Sequence, residues 1–96
     1  MTLVITRKAE QDLIGIMHFT LLEFGTAQVQ KYSSLMDEGF KLILKSPSLG
    51  HKRRDLPGHM LVFPVGQHLI IYTIEAKQRI LILRVLHSRM DFSDRI

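Results

Sequence analysis

The sequence contains no cysteine, few prolines and no run approaching the ~20 apolar residues of a membrane-crossing helix. Without cysteine there is neither a disulfide framework nor thiol chemistry, in keeping with a reducing compartment. The N-terminal stretch Met1 to Arg7 is strand-like and lacks the pattern of a signal peptide, so a soluble cytoplasmic protein with no membrane association is expected. The five histidines (His18, His51, His59, His68, His87) lack metal-site spacing, and no metal or other cofactor is expected. There is no internal repeat, phosphate-cradling glycine loop, nucleophile elbow or helix-turn-helix pattern. Direct sequence-specific DNA binding by the chain alone is therefore not expected.

What is present suits a small globular fold: 96 residues, 46% hydrophobic and 23% charged, read as a single domain over 1–96. Thr6 is placed to cap a helix of about Lys8 to Phe24, whose apolar positions recur at spacings of three and four. Gly25 offers a stop and Thr26 a second cap, and a further helix runs about Ala27 to Lys45 until Ser46-Pro47 ends it. Residues 47 to 58 carry two prolines, two glycines and a basic cluster, and read as an exposed loop. Strands of about His59 to Phe63, Leu69 to Glu75 and Arg79 to His87 follow, with connectors short enough for an antiparallel meander. The expected class is α+β: an N-terminal strand at Leu3 to Ile5, an antiparallel helical hairpin and a three-stranded C-terminal meander.

Both faces of the last two strands are apolar: Leu69, Ile71 and Thr73 against Ile70, Tyr72 and Ile74, then Leu81, Leu83 and Val85 against Ile80, Ile82, Arg84 and Leu86. A helical hairpin covers only one sheet face, which leaves the other as a concavity or a docking surface. The net charge of +4 lies in the second half, where Lys52, Arg53, Arg54, Lys77, Arg79, Arg84, Arg89 and Arg95 outnumber Asp55, Glu75, Asp91 and Asp94. Such asymmetry favours an acidic partner or nucleic acid. An acidic, partly disordered partner that folds onto the open sheet face and an apolar helix groove would satisfy both features, and the chain alone should be poorly soluble.

Two groups of residues can carry function. At the end of the last strand, Arg84 sits in an apolar run and must reach water or a partner. Beyond it, His87, Arg89 and Asp91 form a charged ending that reads either as a site or as a structural strand end. The loop cluster Lys52, Arg53 and Arg54 reads either as a contact for phosphate or an acidic partner, or as a solvated loop. No catalytic residues are assigned, because a single His and Arg lack a third group to orient them. Tyr32 and Tyr72 sit on apolar faces and read as core residues with hydrogen-bonded hydroxyls.

Several positions in order resemble the ParE toxins of the RelE/ParE superfamily of type II toxin–antitoxin systems. They are Thr6 after the first strand, Ala9 with Asp12-Leu13 and Ile16, Phe24-Gly25, Tyr32, Pro47-Ser48-Leu49-Gly50 before a basic run and Asp55-Leu56, Tyr72, and Arg84-Val85-Leu86-His87 with Arg89, Met90 and Asp91. The resemblance implies a sheet in which the first strand lies beside the last. It also implies a toxin that inhibits DNA gyrase and blocks replication, supports plasmid stabilisation, and is neutralised in a hetero-oligomer with a cognate ParD-like antitoxin. The related RelE branch consists of ribosome-dependent mRNA endoribonucleases. Here Ser88 and Arg89 follow His87 where a tyrosine would strengthen that reading, so a non-enzymatic inhibitor is expected.

Overall fold

The computed structural model describes residues 1–90, the Lys77 side chain excepted. The chain runs β1 (Thr2–Ile5), α1 (Arg7–Phe24), α2 (Thr26–Lys45), a 3-10 turn (Pro47–Leu49), β2 (Met60–Val65), β3 (His68–Glu75), a second 3-10 turn (Ala76–Gln78) and β4 (Arg79–His87). The class is the expected α+β, a helical hairpin against a four-stranded sheet ordered β1-β4-β3-β2. The first strand lies parallel beside the last, with Ile5 opposite Ile82, and the other pairs are antiparallel. The β2–β3 hairpin is tighter than its sequence suggests, because Val65 pairs with His68 and leaves Gly66 and Gln67 as the turn. Gly66 has φ 57°, and a side chain there would collide with the ring of Tyr32.

Thr6 joins strand, helix and sheet. Its hydroxyl accepts from the amide of Ala9 at 3.3 Å as the α1 cap and donates to the carbonyl of Ile82 at 2.8 Å. At the helical corner the expected Thr26 cap is not formed. Gly25, with φ 88°, serves both helices: its N–H donates to Leu21 and its carbonyl accepts from Val29. Thr26 is already helical, so its hydroxyl has no N-terminal amide to reach.

Ala9, Met36 and Ile43 of the hairpin pack against Val65, Ile70, Tyr72, Ile80, Ile82 and Val85 of the sheet. The buried helical faces are narrower than their apolar stripes. Ile14, Leu21, Leu22, Phe24, Leu35, Leu42 and Leu44 are exposed, because a hairpin lying on one sheet touches it with one side of each helix.

The loop before β2 is less exposed than its composition suggests. His51 forms an antiparallel bridge with Val62, and Leu56 is buried with Met60, Val62, Leu69, Ile71 and Leu86 on the second sheet face. The Tyr72 hydroxyl holds the loop's start by donating to Pro47 O at 2.6 Å and accepting from Gly50 N at 2.8 Å. Part of the face expected to await a partner is therefore covered by the chain's own loop. The strict alternation expected along β4 also fails. A register shift between Ile71 and Tyr72 sets Tyr72 opposite Ile82 but Ile71 opposite Arg84, so Leu83 is the extra residue. Val85 thereby joins Ile80 and Ile82 in the helix-facing core, and Leu86 goes to the other face.

Candidate functional site

The site forms where β1 ends and β4 continues. Among the described residues no strand lies beside that side of β4 past Ile82, and α1 supplies the substitute. Asp12 lies on the helical stripe of Ala9 and Ile16, one turn from each. Its Oδ2 accepts from Arg84 Nε at 2.8 Å and from the Val85 amide at 3.0 Å, while Oδ1 accepts from Arg84 Nη2 at 2.9 Å. The pair is largely shielded, with side chains 18% and 14% exposed. Donating to Asp12 makes the Arg84 guanidinium hold its proton more firmly than usual, against an opposing effect of burial. Arg84 thus meets a carboxylate far away in sequence, in a planar two-pronged geometry that lysine could not reproduce.

After β4 the chain turns tightly. Ser88 N donates to Gln67 O at 2.9 Å and Met90 N to His87 O at 3.0 Å. The Arg89 amide donates to His87 Nδ1 at 3.1 Å, so His87 has an orienting partner that its sequence neighbourhood did not suggest. The ring of His87 stands edge-on to His68, its cross-strand partner, with centroids 5.4 Å apart. His68 in turn places Nδ1 2.6 Å from the Tyr32 hydroxyl, and that oxygen accepts from Gln67 N at 2.9 Å. The Tyr32 hydroxyl also lies 3.2 Å from Val65 O, so its one proton serves either that carbonyl or His68 Nδ1, and the His68 tautomer follows that choice. Burial, and then the charge of His87, push the His68 pKa below its ordinary value, while burial raises that of Tyr32.

These groups wall a cavity of about 700 Å³ between α1 and the end of β4. Its apolar side includes Ile16, Phe19 and Phe24, and its polar side includes Asp12, Tyr32, His68, Arg84, His87 and Arg89. The structure thus brings Arg84, His87 and Arg89 to one cavity, whereas Asp91 lies outside the described residues. The loop cations stand apart at the β2 edge, across the sheet from this cavity. Lys52 and Arg54 are exposed there, and Arg53 makes a two-pronged pair with Asp55 at 2.8 and 2.9 Å. Among the described residues no group of three or more His, Asp or Glu side chains is arranged to hold a metal.

Sequence reasoning missed Asp12 and His68 as members of this site and read Tyr32 as core alone. Asp12 left a signal, an acid within an apolar helical stripe. His68 left none, because its neighbours come from α2 and β4.

The chain can now be set beside known proteins. A family profile described as the ParE toxin of type II toxin–antitoxin system, parDE, matches residues 3–92. Toxin ParE of Escherichia coli is 27% identical over 93 residues, covering 97% of this chain and 90% of that protein. Toxin ParE1 of Caulobacter vibrioides is 25% identical over 87 residues, covering 91% and 88%. A solved chain from the chromosomal ParDE TA system from P. aeruginosa superposes with a TM-score of 0.78, covering 91% of this chain and 95% of its own length. At 21% identity, that last likeness concerns the fold.

Proposed function

Because the chain belongs to the ParE toxin family of type II toxin–antitoxin systems, we propose that it blocks replication by inhibiting DNA gyrase and is neutralised by direct binding of a ParD-like antitoxin. The observation that carries this reading is the family match over nearly the whole chain. The built ending of β4 supports it. Arg84, locked to Asp12, acts as the anchor, and His87, Arg89 and Asp91 present a charged surface to the target. Lys52, Arg53 and Arg54 offer a separate basic surface to an acidic antitoxin.

A ribosome-dependent endoribonuclease is the second reading, favoured by the grouping of Tyr32, His68 and His87 on the cavity that Arg84 and Arg89 also line. Three features count against it. The imidazoles are in edge contact, which leaves no room for a phosphate between them. Each Nδ1 is already occupied, and Arg84 is engaged by Asp12.

Controlled expression with cell imaging and RNA profiling separates the two. Filamentation with DNA-damage signalling, and loss of supercoiling by purified gyrase, are expected; transcript cleavage at ribosome-bound codons that disappears in His87→Ala would replace the gyrase reading. Deleting Arg89 to Ile96 should abolish toxicity while thermal stability and antitoxin binding largely survive. A fully toxic truncation would remove the ending from the target surface.

A further inference from the structure

The turn beyond β4 hangs from the β2–β3 turn, and that turn hangs from a single phenol of α2. Tyr32 lies one helical turn before the buried Met36 and packs against the same core, which holds its ring in place. Its oxygen meets three groups of the β2–β3 connection: Gln67 N donates to it at 2.9 Å, His68 Nδ1 lies 2.6 Å away and Val65 O 3.2 Å away. Gly66 sits so close that a Cβ there would lie 2.7 Å from Tyr32 Cε1. A two-residue turn at the surface is ordinarily a mobile element, and here a side chain anchored in the core clamps it.

From this turn two routes lead to the ending of β4. Gln67 O accepts from Ser88 N, the first amide beyond the strand, at 2.9 Å. His68 stands edge-on to His87 at 5.4 Å, and His87 Nδ1 accepts from Arg89 N at 3.1 Å. One oxygen on α2 thus bears on residues 88 and 89, once through main chain and once through two imidazoles. Asp12 holds the same strand a step earlier, at Arg84 and Val85. A charged side chain on an exposed turn recognises a target well when its backbone is fixed beforehand, because ordering it on binding costs conformational entropy.

We propose that Tyr32 is a positioning residue for the target-facing ending, its phenol fixing the β2–β3 turn and thereby the place at which Arg89 is presented. This rests on the gyrase reading above and deepens it, since Tyr32 acts through Gln67, His68 and His87 and not by contact with the target.

Tyr32→Phe keeps the ring and removes the oxygen. In the full chain it is expected to weaken inhibition of purified gyrase about tenfold and to reduce growth arrest on expression, while antitoxin binding survives. Hydrogen exchange at the Ser88 amide should become about tenfold faster, since its acceptor is no longer held. Ile43→Val, three helical turns away in the core, is the control for stability alone. At a comparable drop in unfolding midpoint it should keep full potency and leave the Ser88 amide unchanged. His68→Gln breaks only the imidazole route, so potency should fall by a smaller factor, about threefold, with Ser88 exchange unaltered.

Full potency or an unchanged Ser88 amide in folded Tyr32→Phe, or an equal loss of potency in Ile43→Val, overturns the positioning role and leaves the gyrase reading intact. If Tyr32→Phe does not fold, full potency in His68→Gln overturns it. If the unsubstituted chain leaves gyrase supercoiling untouched, the gyrase reading itself fails, and growth arrest with Ser88 exchange in the same variants still decides the role of Tyr32.

Discussion

Asp12 carries more of this structure than its place in an amphipathic helix suggests. One carboxylate accepts from both prongs of Arg84 and from the Val85 amide, standing in for the strand that β1 does not supply. Removing one member of a shielded ion pair strands the other's charge, a loss of about 3 kcal/mol when the pair is well buried. Asp12→Ala should therefore lower stability by roughly that amount in denaturant titrations. Asp12→Asn should cost less, since an amide oxygen still accepts from Val85. Arg84→Met in the Asp12→Ala background should recover part of the loss, and a double-mutant cycle measures the coupling.

His68 makes a pH prediction. Its pKa is lowered in the fold, so the folded chain keeps it neutral while the unfolded chain takes up a proton near the ordinary value of about 6.5. The stability it contributes is present above about pH 6.5 and is lost as pH falls through the lower folded value. His68→Gln should flatten the stability profile over that interval. An unaltered slope would assign the pH dependence elsewhere.

Among the elements, α1 and α2 contain glycines with opposite roles. A Cβ on Gly39 of α2 would come within 2.6 Å of Val65 Cγ2 and 3.4 Å of Ile70 Cδ1, so the helix lies close on the sheet because that position is bare. Gly39→Ala should destabilise by about 1–3 kcal/mol through overpacking. Gly15→Ala on α1 should instead stabilise by up to about 1 kcal/mol, since helix propensity improves and the added methyl meets open space. Thermal unfolding of the two variants would show opposite shifts.

At the scale of the whole molecule, the hairpin leaves a large apolar surface in water. Leu22 is 70% and Phe24 69% exposed, Ile14 and Phe19 are exposed too, and Phe19 meets Phe24 edge-on. Apolar side chains left in water in this number mark interaction surfaces or aggregation sites. The chain purified alone should self-associate in light scattering as concentration rises, and Leu22→Lys with Phe24→Lys should suppress this while changing stability by less than about 0.5 kcal/mol. Aggregation that persists in the double variant would move the cause to the sheet.

Residue order by itself determined the two helices, the three C-terminal strands within a residue or two, and the Thr6 cap, because these rest on local periodicity and on side chains acting a few positions away. It also required Arg84 to meet a partner, since an ionised guanidinium in an apolar strand is costly whatever the fold. Only the tertiary structure decided that this partner is Asp12, because the pairing depends on where β1 stops beside β4. The bulge at Leu83 likewise lies in a register that no alternation within β4 records, and it sends Val85 and Leu86 to faces opposite those expected. The cover that Leu56 and the His51 bridge give the second sheet face, and the meeting of Tyr32, His68 and His87, were equally beyond local patterns. Each is a contact between elements whose relative placement is settled by packing the whole core.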